Sequence, residues 1–103
     1  GIQWANALAR QRTFTEYARE TARSGLWDVA RDVALEAVGH VNLESEELHL
    51  LIGNIGVATS DSILAGEALN FLRVLRADAE AGLLQRAIES GRADLESASN
   101  GGA

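Results

Sequence analysis

The sequence predicts an all-α fold, a four- to five-helix antiparallel bundle with one central apolar helix. Three observations predict it. The 103-residue chain is rich in alanine and has no proline, a composition that favours helix. Its apolar residues recur at helical spacing through two long stretches, 26–41 and 46–69. Hydrophobic residues make up 47% of the chain and aromatic ones only 5%, so the core is aliphatic, and helices joined by short loops bury such a core as a bundle. A chain of this length makes one domain, expected over 1–96, with the Ser- and Gly-rich residues 97–103 as a disordered tail.

Ile2 to Arg10 form a weakly amphipathic opening. Thr13-Phe14-Thr15-Glu16 match a capping box, with Thr13 as the cap of a helix over 14–23, and Ser24-Gly25 ends that helix in a left-handed turn. From Leu26 to Val41, the residues Leu26, Val29, Ala30, Val33, Ala34, Ala37, Val38 and Val41 make one buried stripe opposite Asp28, Arg31, Asp32 and Glu36. Asn42 to Ser45 break the chain, and Glu44, Glu46 and Glu47 suit the start of a new helix.

That next helix is expected to run unbroken from Glu46 to Leu69, with Leu48, Leu51, Ile52, Ile55, Ala58, Ile63, Ala65 and Leu69 inward. Leu50, Val57, Leu64 and Ala68 widen its apolar face until little polar surface remains, which makes it the central element. Gly53, Gly56 and Gly66 would then mark close approach of a neighbouring backbone. A last helix is expected from Phe71 to Ser90, with Leu72, Leu75, Ala79, Leu83, Ala87 and Ile88 inward and Gly91 as its stop. Trp4, Phe14, Tyr17 and Trp27 are expected to anchor the core, with an interface as their second role.

The charge is uneven. Residues 1–31 carry five arginines against three acidic residues, and residues 32–71 carry seven acidic residues and no arginine. The net charge of −6 makes a poor general nucleic-acid binder, and the asymmetry suits pairing between the two regions, within one subunit or across a dimer. All nine basic side chains are arginine, which the base composition of a GC-rich genome explains, with bidentate anion binding as the alternative. Arg10, Arg12, Arg19 and Arg23 would be the phosphate-facing stripe if RNA were bound. With no cysteine, disulfides, thiolate zinc sites and cysteine nucleophiles are excluded. No apolar run approaches the roughly 20 residues of a membrane span, and no signal peptide is evident, so a cytoplasmic protein without a membrane partner is expected.

Chemistry-bearing residues are few, and no complete catalytic motif appears. Asn54, Ser60 and Asp61 would make one polar strip in the apolar central helix, a candidate binding site in which Ser60 and Asp61 orient a partner, bind RNA or meet at a dimer seam. The plainer alternative is Ser60 bonding back to its own helix, with Asp61 facing water or an arginine. The run Gly56-Val57-Ala58-Thr59-Ser60-Asp61-Ser62-Ile63-Leu64-Ala65, followed by Leu69, resembles the second helix of small actinobacterial HEPN-type proteins, and Arg76 to Ala81 with Leu83, Leu84 and Ala87 resembles their closing helix. The resemblance covers about a quarter of the chain. It implies a helical bundle, often dimeric, from toxin–antitoxin or other RNA-targeting systems. Active members cut RNA through an Arg-x4–6-His motif. Here Arg73 and Arg76 stand in the right region, but no histidine follows either, so the resemblance implies a catalytically silent member or a truncated one, with these arginines as candidate binding residues.

The alternative is a small ferritin-like metal protein. Glu46-x-x-His49 has the spacing that sets two ligands on one helix face, and Glu16 or Glu36 would add a carboxylate. The reading favoured by the residues is instead a non-catalytic, homo-oligomeric interaction module, with a protein or RNA partner and no cofactor.

Overall fold

The computed structural model describes residue 13, residues 15–40 and residues 46–95. The expected opening at 2–10, the break at 42–45, Trp4, Phe14, Arg10, Arg12, Val41, the side chains of Ala37 and His40 and the tail at 97–103 lie outside them. The described residues are all-α, with no strand among them. Five helices follow one another: α1 over 15–23, α2 Trp27–His40, α3 Glu46–Ala58, α4 Ser62–Val74 and α5 Asp78–Ser90. The chain divides into two compact units, Gly1–Leu43 and Glu44–Ala103.

In the first unit, Thr13 is itself helical rather than a cap, and where α1 starts lies outside the described residues. Its end is as expected. Gly25 stands at φ 81°, and its N–H and that of Leu26 return to the Ala22 and Thr21 carbonyls. Thr21 is buried in the last turn of α1, where its hydroxyl donates to the Tyr17 and Ala18 carbonyls, each at 3.0 Å. Among the described residues of this unit, the buried hydrophobic ones are all small: Ala18, Ala22, Ala30 and Ala34. The α2 stripe is therefore narrower than its periodicity suggests. Leu26, Val29 and Val38 are exposed, as is Tyr17, which does not anchor the core, and Trp27 is half-buried.

In the second unit α3 is covered on all sides from Leu48 to Gly56. Leu48, Leu51, Ile55, Leu72 and Leu84 are its largest fully buried apolar side chains. The pairs Gly56–Ala65 and His49–Phe71 run in opposite chain directions, so α3 and α4 are antiparallel. At Gly56 an added Cβ would stand 2.7 Å from the Ala65 backbone nitrogen, and at Gly53 it would collide with the Leu84 side chain. These two glycines are the close approaches that hold α4 and α5 against α3. Gly66 is not one, because an added Cβ there meets nothing within 4 Å.

The unbroken helix from Glu46 to Leu69 is overturned. Ser60 sits in the left-handed region at φ 58°. Its N–H reaches the Val57 carbonyl at 3.2 Å and the Asp61 N–H reaches the Gly56 carbonyl at 2.8 Å, a Schellman ending to α3. Asp61 then caps α4, its Oδ1 accepting the Leu64 N–H at 3.0 Å. The helix from Phe71 to Ser90 breaks in the same way. Arg76 stands at φ 59°, and its N–H and that of Ala77 return to the Arg73 and Leu72 carbonyls. Each three-residue turn resets the helical phase. Ile63, Ala79 and Ile88, expected inward, are therefore exposed, while Ala81 and Leu84 take the inward places on α5. Gly91 ends α5 as expected, at φ 69°.

Candidate functional site

The residues singled out from sequence do not gather. Asn54 is 1% exposed and fully engaged: its Nδ2 donates to the Leu50 carbonyl at 2.9 Å, and its Oδ1 accepts the Asp94 backbone N–H at 2.7 Å. Ser60 and Asp61 lie beyond the end of α3, so they form no strip with Asn54. They shape the turn instead, as left-handed residue and N-cap. Arg73 is exposed and donates from Nη2 to Gln85 Oε1 at 2.7 Å, tying α4 to α5, and Arg76 is the left-handed residue of the next turn. Ser60 and Asp61 thus stand at the start of α4 and the two arginines at its finish, about 20 Å apart at 1.5 Å of rise per residue.

Glu46 and His49 do not share a metal-facing surface either. Glu46 is exposed, whereas His49 is buried with its ring stacked on Phe71, centroids 4.0 Å apart and planes 21° from parallel. Burial pushes the His49 pKa below its ordinary value of 6.5, so the imidazole is neutral near pH 7. Among the described residues no three His, Cys, Asp or Glu side chains stand close enough to hold a metal ion. No described helix is long and apolar enough to cross a membrane.

The candidate surface is one that periodicity did not reveal, the outward side of α4. Ala65, Ala68 and Leu72 face inward. Ile63, Glu67, Asn70 and Val74, spaced by four, three and four residues, fall on the opposite side. Ile63 is 72% exposed and Val74 79%. Phe71 flanks the row with one ring face on His49 and 39% of its surface open. This chemistry is that of packing, with two apolar ends, a carboxylate and an amide. The sequence does hold a signal for it. Thr59-Ser60-Asp61-Ser62 are four consecutive small polar residues inside an apolar run, a turn composition that ends with a good N-cap.

Comparison of the chain with family models, with curated proteins and with solved structures gave no match.

Proposed function

We propose that this protein is a non-catalytic helical interaction module that assembles with copies of itself. The observation that carries the proposal is the placement of Ile63 and Val74, the two most exposed large hydrophobic residues described, on one side of one helix. Large apolar side chains exposed on one face lose water contact when another surface covers them. Leu26, Val29, Leu35 and Val38 in the first unit are further exposed apolar residues of the same kind. The apolar excess that the sequence assigns to a central rod lies on α4 once the turn at Ser60 is made.

The resemblance to catalytically silent HEPN-type proteins extends the proposal to a toxin–antitoxin or RNA-handling setting. The residues that carry it, Gly56 to Leu69, span a turn rather than the middle of a helix, so the surface and not the kinship supports the module. The test is multi-angle light scattering from low to high micromolar protein. A mass rising above the 11.0 kDa of one chain is expected, and a mass fixed at 11.0 kDa throughout would contradict the proposal.

A further inference from the structure

We propose that two copies of this chain pair antiparallel through α4, with Ile63 of each copy against Val74 of the other. The inference rests on the interaction-module reading and names its partner and geometry. Its basis is the symmetry of the row. The spacing of Ile63, Glu67, Asn70 and Val74 is four, three and four, the spacing of a helical packing seam, and it reads the same from either end. So does its character, which is apolar, polar, polar, apolar. Turning one copy by a two-fold axis through the middle of the row sets Ile63 opposite Val74 at both ends and Glu67 opposite Asn70 twice in the middle. That is a self-complementary contact of the kind a two-fold dimer requires.

The polar layer selects the direction. Antiparallel, the Glu67 carboxylate accepts from the Asn70 amide of the second copy. Parallel, Glu67 faces Glu67, and the like charges repel. Neither side chain makes another hydrogen bond or ion pair with the described residues, so both are free to take these partners. Gly66 borders the row, and the open space beside it leaves room for the second helix to come close. The seam is short. A pair of 13-residue helices buries less than the roughly 800 Å² per partner of a standard interface, so the dimer belongs in the weak, micromolar range.

The chain has no cysteine, which makes disulfide trapping a clean test. Ile63→Cys and Val74→Cys proteins are oxidised separately and as a mixture, each first checked by circular dichroism for the helix content of the parent. Both sites are exposed, so the substitutions leave the core intact. In the antiparallel seam positions 63 and 74 meet, while two copies of position 63 lie about 16 Å apart along the axis, beyond disulfide reach. The mixture is expected to form a disulfide between positions 63 and 74 about tenfold faster than either protein cross-links alone, because pairing raises the local thiol concentration. Equal rates in all three samples, faster cross-linking of Ile63→Cys alone, or no disulfide in any sample would overturn the seam. If the parent protein associates by light scattering and the mixture does not cross-link, the seam fails and the module reading stands. If the parent is a monomer at all concentrations, both fail.

Discussion

The Asn54 side chain accepts the backbone N–H of Asp94 at 2.7 Å, across a separation of 40 residues. Asn54 is buried in the most enclosed helix of the second unit, and Asp94 lies in the segment that leaves α5. A polar residue is tolerated there because both ends of its amide are satisfied. Gly91 turns the chain so that the following residues reach back to it, and the bond fixes where the segment lies.

Asn54→Leu should therefore destabilise the protein by about 1–3 kcal/mol, because it leaves the Asp94 N–H without its acceptor and puts an apolar group where an amide fitted. Urea unfolding measures the loss, and hydrogen exchange at the Asp94 amide should quicken. Unchanged stability together with unchanged exchange would show that the bond does not hold the segment.

Gly56, inside the α3–α4 contact, and Gly66, outside it, should respond in opposite directions. At Gly56 a methyl group meets the Ala65 backbone, which cannot turn aside as a side chain can, so Gly56→Ala should cost roughly 1–3 kcal/mol despite the better helix propensity of alanine. At Gly66 the space is open, and Gly66→Ala should gain up to about 1 kcal/mol. Thermal denaturation of the pair decides the matter, and equal shifts in one direction would contradict the packing described.

The left-handed residues offer a third test. Ser60 and Arg76 hold positive φ angles that cost a residue with a Cβ about 1–2 kcal/mol. Ser60→Gly and Arg76→Gly should each raise stability by roughly 0.5–1 kcal/mol in chemical denaturation, since glycine takes that conformation freely. A loss of stability in both would mean that these residues do not end their helices as described.

These two residues also show what was and was not legible in the sequence. Gly25 and Gly91 announce their helix ends, and both ends fall where expected. Ser60 and Arg76 make the same left-handed ending with side chains that carry no such signal, and Ala77 starts α5 with no side-chain cap at all. The all-α class and the buried run through α3 follow from composition and periodicity. The inward places of Ala65, Ala68, Leu72 and Ala87 follow too, but those of Ala81 and Leu84 do not, because a three-residue turn between apolar helices leaves the hydrophobic count almost unchanged while shifting which later side chains face inward. Ile63, expected inward, was hidden for that reason. For His49, a Glu-x-x-His spacing says nothing of the Phe71 ring that covers it.

His49 makes stability depend on pH. Its folded pKa lies below the ordinary value of 6.5 because burial disfavours the charged ring. As pH falls, the unfolded chain takes up this proton first, so the stability His49 allows is fully present above about pH 6.5 and is lost as pH falls below it. The melting temperature should fall between pH 7.5 and 5.5, and the fall should be smaller in His49→Phe, which keeps an aromatic ring without a titrating group. Identical pH profiles for the two proteins would contradict the buried, neutral state of His49.

Sedimentation velocity of the parent protein beside Ile63→Glu tests the outward face of α4 most directly. The substitution sits in the first turn of α4, where a carboxylate suits the helix dipole, so it changes the surface and spares the fold. The parent should sediment faster as its concentration rises from low to high micromolar, and Ile63→Glu should stay at the sedimentation coefficient of one chain. A parent that remains a monomer throughout, or a variant that associates as the parent does, would contradict the account.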